Sequence, residues 1–380
     1  MKTKELLPGK KLIVFLIIAA IICGAAWVIL AARSHQSDGL DSFHARPFSK
    51  KVHLTASPKG APAGMTPAEI KQAYSISGAG KGTIAIVDAY DDPGVEKDLN
   101  TFSKKFGIAA CTTKNGCFEK HKMASGVKAS AGWALEIALD VEWAHAIAPG
   151  ARILLVEAAS DGGTNLLKAV DYARNRKDVV AVSMSWGGDE FAGETKLESH
   201  FASPYGATFF ASSGDDGHGA SWPAVSANVI AVGGTTLNLN SSGKFKSETA
   251  WNGSGGGVSD YIAEPAFQGS YDIRYAKGRR AVPDVAYDAN PSTGYPVYSS
   301  LSDSGSGWFE VGGTSAGSPQ WAVLRTISKN ISLDRIYAVK TKDYFRDVAT
   351  GANGTCRYFC HAKKGYDFVT GLGSPINLAY

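Results

Sequence analysis

Apolar and polar positions follow two different periods along the chain, and each period predicts a different kind of element. A run of β-branched and apolar residues at 83–87 ends in Asp88, which predicts a buried strand with an acidic residue at its carboxyl end. Similar apolar runs predict further strands at 151–158, 179–188, 207–217 and 228–237. Helical spacing predicts helices at 131–147 and 166–175, and Thr66 followed by Pro67 and Glu69 is the start signal of another helix.

The alternation of these strands and helices predicts an α/β fold. We expect a mostly parallel central sheet with helices on both faces, in a single large domain at 65–380. In such sheets, ligands bind beyond the carboxyl ends of the strands. The residues predicted at those ends are Asp88, Ser185, Trp186, Asp215 and Gly234.

Residues 12–32 form an uncharged apolar run that lysines precede. Its length suits the roughly 30 Å core of a bilayer, so one interpretation is a single-pass transmembrane anchor with residues 1–11 in the cytoplasm. The other interpretation is a signal peptide that is removed on export. Both place the rest of the chain outside the cytoplasm, either membrane-anchored or secreted. The polar stretch at 33–64 is expected to be a linker.

Composition narrows the possible function classes. The chain has 380 residues, of which 44% are hydrophobic and 19% charged, so it can bury a core and is neither disordered nor fibrous. The formal net charge is only +4 and the basic residues form no repeating face, which argues against a nucleic-acid partner. We expect the protein to be a monomer.

Four of the five cysteines form two close pairs, Cys111 with Cys117 and Cys356 with Cys360, while Cys23 lies in the apolar run. Free thiols or a metal site are the alternatives, but neither interval has the CxxC spacing of a zinc site. In an exported chain, two near pairs favour two short-loop disulfides.

The first candidate for chemistry is the pair Glu136 and Asp140, four residues apart on the predicted helix at 131–147. Residues at this spacing lie on one face, with Cβ atoms about 5–6 Å apart. Two carboxyl groups in apolar company cannot both ionise easily, so one pKa must rise, and such a group can act as a general acid or base. The alternative is an ordinary charge pair on a solvated face.

Two glycine-rich turns supply the other candidates. Ser315 lies in GGTSAGSP (312–319), where a strand-to-helix turn would expose a nucleophilic hydroxyl. The sequence also fits the G-x-S-x-G elbow of α/β-hydrolases, but that fold needs an acid and then a histidine after the serine, and His361 is the only histidine that follows. Asp215 stands in SSGDDG (212–217), which without further support is an ordinary turn aspartate.

Taken together, these segments resemble the sedolisin family of serine-carboxyl peptidases, which share the subtilisin-like fold. The resemblance covers residues 65–380 and follows the order of the family's motifs. The matching stretches are TPAEIKQAY, IAIVDAYDDP, WALEIALDVEWAHAIAPGARI, VSMSWGG, ASSGDDG, SWPAVSANVIAVGGTTL, SGGGVSDY, VPDVAYDANPSTGYPVY, VGGTSAGSPQWA, and DV followed by KGYDFVTGLGSP.

The resemblance implies a serine-type endopeptidase that cleaves peptide bonds through an acyl-enzyme. Ser315 would be the nucleophile, Glu136 its general base, and Asp140 the residue that holds and tunes Glu136. Asp215 would donate a hydrogen bond to the oxyanion together with the backbone N–H of Ser315. Because a carboxyl replaces the usual histidine and Asp215 must be protonated to donate, we expect activity to be favoured at acidic pH.

Further roles follow from the same resemblance. Asp88 would lie behind the carboxyl pair, with Trp186 packed beside it. The strand at Ser185, Trp186 and Gly187 would pair with an extended peptide or protein substrate. One structural Ca²⁺ is implied, since hard cations prefer oxygen ligands. Its ligands would be the side chains of Asp347 and Asp367 and the backbone carbonyls of Val348, Lys363 and Gly365.

The chain resembles a form of the family without the usual large pro-domain, because the stretch between the apolar run and Thr66 is too short for a packed domain. Two alternatives remain. A histidine-dependent subtilisin-like peptidase would need a histidine near the start of the helix at 131–147, whereas His145 lies near its end. A membrane-anchored, non-catalytic binding module on the same fold is the other.

Overall fold

The computed structural model describes residues 39–56, 62–338 and 343–376, and an eight-stranded sheet forms its centre. The strands are β1 (Arg46–Pro47), β2 (Lys50–Ala56), β3 (Thr83–Ala89), β4 (Phe118–Lys122), β5 (Arg152–Ala158), β6 (Val179–Met184), β7 (Trp186–Asp189), β8 (Thr208–Ser212), β9 (Ser221–Trp222), β10 (Val229–Leu239), β11 (Phe245–Ala250), β12 (Gly257–Ala263), β13 (Arg279–Val282), β14 (Val285–Asp288), β15 (Tyr295–Ser299), β16 (Gly307–Gly312), β17 (Phe345–Arg346) and β18 (Ser374–Pro375). The α-helices are α1 (Pro67–Ala73), α2 (Val95–Phe106), α3 (Ala131–Ile147), α4 (Gly163–Arg174), α5 (Ala266–Tyr271), α6 (Gly317–Ile327) and α7 (Leu333–Ala338).

The central sheet is mostly parallel, as the sequence predicts. Its strand order is β11-β10-β8-β6-β3-β5-β4, and β14 also pairs with β10. Only the pair of β10 and β11 is antiparallel. The carboxyl ends of β3, β6 and β8 therefore meet at one edge, which brings Asp88 and the segments after Met184 and Ser212 together.

Helices cover both faces of this sheet, and the alternation along β3 shows why. Ile84 and Ile86 belong to the larger apolar cluster, which contains residues of helices α3 and α6. Ala85 and Val87 point the other way, into a second cluster that includes Leu166 of helix α4. Because successive side chains of a strand point to opposite faces, a strand between two helical layers must be apolar throughout. The predicted α/β architecture is confirmed.

Helix α3 occupies the centre of the larger cluster and has the bounds that the sequence predicts. Its side chains are buried from Trp133 onward, which explains why the segment is apolar on nearly all sides. Helix α1 begins at Thr66 with a capping box, since Glu69 N–H donates to Thr66 Oγ1 over 3.3 Å and Thr66 N–H donates to Glu69 Oε2 over 2.8 Å.

The predicted linker at 33–64 is wrong for residues 39–56. These residues contain strands β1 and β2, of which β1 pairs with β7 and β2 pairs antiparallel with β16. Phe43, Ala45 and Phe48 are buried, with Phe48 only 1% exposed. Their apolar side chains anchor a stretch whose overall composition is polar, and composition alone therefore misassigned it.

The predicted anchor or signal peptide at 12–32 lies outside the described residues and stays a prediction. Across the residues that are described, no helix combines the length and apolar character needed to cross a bilayer. Both predicted disulfides are present, Cys111 with Cys117 and Cys356 with Cys360.

Candidate active site

Ser315 lies at the turn between strand β16 and helix α6, as its glycine-rich surroundings predict. The turn depends on Gly313, whose φ of +102° lies in the region that favours glycine. A Cβ at Gly313 would collide with the carbonyl oxygen of Phe48 and would lie 2.5 Å from Asp215 Oδ2. Because glycine has no side chain, the carbonyl oxygen of Phe48 and Asp215 Oδ2 can both approach the turn that holds Ser315.

Glu136 and Asp140 are both fully buried on helix α3. Burial raises the pKa of Glu136, while the hydroxyl groups of Ser49 and Ser315 partly oppose that shift. Among the described residues, no donor makes a well-formed hydrogen bond to either carboxyl oxygen of Glu136. The hydroxyls of Ser49 and Ser315 are nevertheless close enough to lower its pKa. A base with a raised pKa beside Ser315 is the arrangement that proton abstraction requires.

Asp140 is tuned by its surroundings. Burial raises its pKa, the nearby carboxyls of Asp88 and Glu136 raise it further, and a hydrogen bond from Ser185 opposes them. Ser185 Oγ donates to Asp140 Oδ2 over 2.6 Å. The two carboxyls of the helix therefore titrate as one coupled unit that retains a proton more readily than either would in water.

Asp215 is 2% exposed, and burial raises its pKa to about 7. Its Oδ1 accepts hydrogen bonds from both the backbone N–H and the hydroxyl of Thr314, each over 2.8 Å. Its Oδ2, which lies above Gly313, has no hydrogen-bond partner among the described residues. Because Oδ1 already accepts two hydrogen bonds, the proton of the neutral acid belongs on Oδ2.

Behind the carboxyl pair lies Asp88, fully buried and with no hydrogen bond to either oxygen within the described ranges. Burial raises its pKa, and the charges of Glu136 and Glu157 add to the effect. Trp186 is buried nearby and donates from Nε1 to the carbonyl of Val87 over 2.7 Å. Asp88 is thus within electrostatic reach of Glu136, and Trp186 is hydrogen-bonded to the residue before Asp88, while the roles that the resemblance implies for both stay predictions.

Strand β7 contains Trp186 and Gly187, two of the predicted substrate-pairing residues, Ser185 precedes it, and one edge of the strand is paired with β1. Arg46 lies opposite Gly187 and Pro47 opposite Trp186 in an antiparallel register. The carbonyl of Ser185 accepts from Ser315 Oγ over 3.1 Å. The nucleophile thus donates to a backbone carbonyl while its hydroxyl also lowers the pKa of Glu136.

No histidine among the described residues hydrogen-bonds Ser315. His145, at the end of helix α3, is buried and bonds through Nε2 to the carbonyl of Ala109 over 2.7 Å. Burial lowers its pKa. This geometry is that of a neutral core histidine and disfavours the histidine-dependent alternative.

The predicted calcium ligands converge on one loop region. Gly365 N–H donates to Asp347 Oδ2 over 2.9 Å, and Lys363 N–H donates to Asp367 Oδ2 over 2.8 Å. Thr370 Oγ1 links the carbonyl of Val348 to the same Asp367 carboxyl. Asp367 is 2% exposed, and burial raises its pKa to about 6. Asp367 Oδ1 also accepts from the N–H groups of Val369 and Thr370, each over 2.9 Å, so a Ca²⁺ bound here would replace some of these hydrogen bonds as its oxygen ligands turn toward it.

Several residues at this site escaped the sequence analysis. Phe48 and Ser49 lie in the supposed linker, where one aromatic residue among polar ones is too weak a signal. Thr314 orients Asp215, but within the motif GGTSAGSP only the neighbouring Ser315 has an obvious chemical role. Glu157 stands beside Asp88 on the adjacent strand and pairs with Lys120 over 2.9 Å. A single acidic residue in a buried apolar strand was the signal that could have revealed it.

Comparison with known proteins adds to this geometry. The Subtilase family matches residues 108–330, which include all four predicted catalytic residues. Sedolisin of Pseudomonas sp. (strain 101) is 29% identical over 365 residues, covering 83% of this chain and 60% of the relative. Kumamolisin of Bacillus sp. (strain MN-32) is 30% identical over 367 residues, covering 85% of this chain and 64% of the relative. The chain spans less than two thirds of the length of these relatives.

A solved structure of Pseudomonas sedolisin, described as a serine-carboxyl proteinase complexed with two molecules of pseudo-iodotyrostatin, aligns with a TM-score of 0.70. That alignment has 28% sequence identity and covers 83% of this chain and 96% of the other. A psychrophilic protease aligns with a TM-score of 0.56 at 16% identity, which indicates a shared fold alone.

Proposed function

The chain belongs to the subtilase family and is a sedolisin-like member of it, and from this premise we propose that it is a serine-carboxyl endopeptidase. Its substrates are peptides or proteins, which bind in extended form along strand β7. The reaction is acyl transfer from the peptide bond to Ser315, followed by hydrolysis of the ester.

In the first step, Ser315 Oγ attacks the peptide carbonyl and passes its proton to Glu136. Asp140, which keeps its proton, would hold Glu136 through a hydrogen bond between the two carboxyls, and the Ser185 hydroxyl donates to Asp140 Oδ2 over 2.6 Å. Glu136 then donates the proton to the leaving amine. In the second step, it takes a proton from the water that attacks the ester, and returns it to Ser315.

The negative charge that develops on the carbonyl oxygen is stabilised by two donors, the backbone N–H of Ser315 and the protonated Asp215. Thr314 holds Asp215 Oδ1, so that Oδ2 presents its proton above Gly313. An ionised Asp215 would repel the oxyanion instead. Activity therefore requires a pH at which Asp215 is protonated, below about 7 by its pKa.

One observation carries this proposal. Ser315 N–H donates to the carbonyl oxygen of Phe48, Asp215 Oδ2 lies above Gly313 together with that oxygen, and the Ser315 hydroxyl acts on Glu136. The test is hydrolysis of a peptide library across acidic to neutral pH. Ser315→Ala and Glu136→Ala should each abolish cleavage, Asp215→Ala should reduce kcat/KM about 100- to 1,000-fold, and all three should have melting temperatures close to that of the wild type. Near-normal turnover in any of them would remove the role assigned to that residue.

No observation on the described residues favours the alternative of a non-catalytic binding module. One copy of the chain supplies every group of the proposed mechanism, so we propose that it acts as a monomer. Sedimentation velocity would reveal a dimer if this is wrong.

We also propose one structural Ca²⁺ held by the carboxylates of Asp347 and Asp367 and the carbonyls of Val348, Lys363 and Gly365. The ion would neutralise the buried Asp367 and tie together the two ends of a loop that the Cys356–Cys360 disulfide also constrains. It has no part in the reaction steps.

We propose further that the peptidase domain lies outside the cytoplasm, either secreted or held by the apolar run at 12–32. The two disulfides support an oxidising compartment. Fractionation of cells that express the full chain, with protease digestion from outside, would separate the anchored from the secreted form.

A further inference from the structure

We propose that Glu157, held ionised by Lys120, sets the pH at which the active site releases the proton that frees Glu136 to act as the base. This role rests on the proposed peptidase function and deepens it, because it assigns the pH dependence of that function to two residues of the sheet. Both are positioning residues, since their hydrogen bonds go to the loop after strand β3 and not to Ser315. They act on the carboxyl cluster, which consists of Glu136, Asp140 and Asp88.

A row of ionisable side chains crosses the sheet from the carboxyl cluster to its edge. Asp88 of β3 lies opposite Glu157 of β5, and Glu157 lies opposite Lys122 of β4, both in parallel register. Neighbouring strands are about 4.8 Å apart, and the side chains of such a row point to one face. Strand β4 is the last strand on this side, and the Lys122 side chain is 40% exposed. The row therefore joins the buried cluster to solvent.

This row lies in the same layer as the base. Ile86 and Leu155, two residues earlier on their strands, belong to the larger apolar cluster, which contains residues of helix α3. Because side chains alternate along a strand, Asp88 and Glu157 point to that side as well. Helix α3 also carries Glu136, which is fully buried. Glu157 and the base thus share an apolar layer in which charges are weakly screened.

Lys120 holds Glu157 in its ionised form. Lys120 Nζ lies 2.9 Å from Glu157 Oε1, and it donates to Asp91 Oδ1 over 2.5 Å and to the carbonyl of Asp92 over 2.6 Å. These contacts use all three donors of the ammonium group. Asp92 N–H also donates to Glu157 Oε1 over 2.9 Å, whereas Oε2 has no hydrogen-bond partner within the described ranges. Glu157 is fully buried, so its charge depends on this ion pair.

Asp88 connects the two ends of the row. Burial raises its pKa, and the charges of Glu136 and then Glu157 raise it further. Asp88 in turn raises the pKa of Asp140, in addition to the effect of burial. Burial also raises the pKa of Glu157, to about 7, and Lys120 opposes that shift. Glu157 therefore ionises before Glu136, whose pKa is raised to about 8, and its charge then opposes each ionisation of the carboxyl cluster.

Every element packed around the ion pair contributes titratable groups, and nearly all of them are carboxyls. These groups are Asp88 on β3, Asp91 and Asp92 in the loop after it, Lys122 on β4, Asp98 on helix α2, and Glu136, Asp140 and Glu142 on helix α3. Lys122 Nζ donates to Asp91 Oδ2 over 2.6 Å. Among the described residues, Lys120 is thus the lysine that contacts Glu157 directly.

The substitution that tests this role is Glu157→Gln, which keeps the size of the side chain and removes its charge. A unit charge about 10 Å away, at an effective dielectric constant of about 20, shifts a pKa by about one unit. Loss of the negative charge makes ionisation of the carboxyl cluster easier, so the titration midpoint of Glu136 should fall by about 0.5 to 1 pH unit. Glu157→Asp keeps the charge and should keep most of the shift.

The measurement is a carboxyl ¹³C NMR titration of the full chain labelled at glutamate Cδ, which requires no turnover. Glu136→Gln and Glu157→Gln assign the two resonances by their loss. Lys120→Met should raise the midpoint of Glu157 itself by about 1 to 3 pH units, because burial then acts without a cation. Glu119→Gln is the matched control, since Glu119 lies on β4 but pairs over 2.7 Å with Arg176. It should leave the midpoint of Glu136 unchanged.

Enzyme kinetics connect this midpoint to the reaction. In the Asp215→Asn background, which removes the titration of Asp215, the rise of kcat/KM with pH reports the ionisation that frees the base. Adding Glu157→Gln should move that rise to lower pH by the same 0.5 to 1 unit, about as far as the NMR midpoint moves. A variant that is slower at every pH but has an unmoved midpoint would show a purely structural role and overturn the proposal.

The two measurements keep this proposal separate from the proposed function. If peptides are cut but Glu157→Gln leaves the NMR midpoint of Glu136 where it is in the wild type, the role of Glu157 is refuted and the peptidase function stands. If no peptide is cut at any pH, the proposed function fails, and the NMR midpoints still decide whether Glu157 governs the ionisation of Glu136. If Lys120→Met does not fold, Glu157→Gln and Glu157→Asp decide alone.

Discussion

Replacing Asp215 by asparagine separates the two duties of its carboxyl group in the proposed mechanism. In the wild type, Oδ1 accepts from Thr314 and Oδ2 donates only when protonated. In Asp215→Asn, the amide oxygen would accept the same two hydrogen bonds and the amide nitrogen would donate from the position of Oδ2. The variant therefore keeps the oxyanion donor but removes its dependence on pH.

The expected effect follows from the pKa of Asp215, which burial raises to about 7. The active, protonated form is fully present below that pKa and decreases about tenfold for each pH unit above it. Glu136 must also be ionised and has a pKa raised to about 8, so wild-type kcat/KM at about pH 9 should be roughly sixfold below its maximum and should fall further at higher pH, whereas Asp215→Asn should show no such decline. Asp215→Ala lacks the donor at every pH and should lose about 100- to 1,000-fold.

The assay is kcat/KM for a peptide that the wild type cuts in the library, measured from about pH 4 to 9 on chains whose melting temperatures match. The reasoning is refuted if Asp215→Asn shows the same alkaline decline as the wild type. It is equally refuted if Asp215→Ala retains near-normal activity, since the oxyanion would then need no help from this residue.

The remaining predictions concern the groups around this centre. Ser185→Ala removes the 2.6 Å hydrogen bond to Asp140 but keeps the carbonyl that accepts from the substrate, so kcat should fall about 10- to 100-fold with KM little changed. Ser183→Ala, on the strand before it, should have much less effect on kcat, and equal losses in both would contradict the role of Ser185. Burial raises the folded-state pKa values of Asp140 and Asp215 above those of the unfolded chain. Their contribution to stability is therefore complete below about pH 4 and is lost as pH rises through the folded-state values, so the melting temperature should be several degrees higher at about pH 5 than at pH 8. A higher melting temperature at the more alkaline pH would contradict this. EDTA should lower the melting temperature of the wild type and of the exposed-site control Asp303→Asn, and should leave Asp347→Asn unaffected. An equal effect of EDTA on all three would exclude the proposed calcium ligands.

Periodicity made much of the fold predictable. The strand at 83–87 and the helix at 131–147 could each be predicted from their own residues alone. A buried strand must be apolar throughout, and a central helix must be apolar on nearly every side. The spacing of Glu136 and Asp140 likewise placed both on one face, and their shared burial accounts for the raised pKa of each.

The role of residues 39–56 could not be read from their sequence. A strand of two residues such as Arg46–Pro47 has no periodicity to detect, and it exists because the edge of strand β7 supplies its partners. The contacts of Phe48 with Ser185, Gly313 and Ser315 join segments that lie more than a hundred residues apart. Such contacts depend on the completed fold, which no local pattern encodes.

Labelling with a serine-reactive phosphonylating probe tests most directly whether a carboxyl group activates Ser315. We expect the probe to modify Ser315 in the wild type, because the ionised form of Glu136 takes the proton from the serine hydroxyl. Glu136→Gln should abolish that modification while preserving the volume of the side chain. Modification of Ser315 at the wild-type rate in Glu136→Gln would contradict the role of Glu136 as the base.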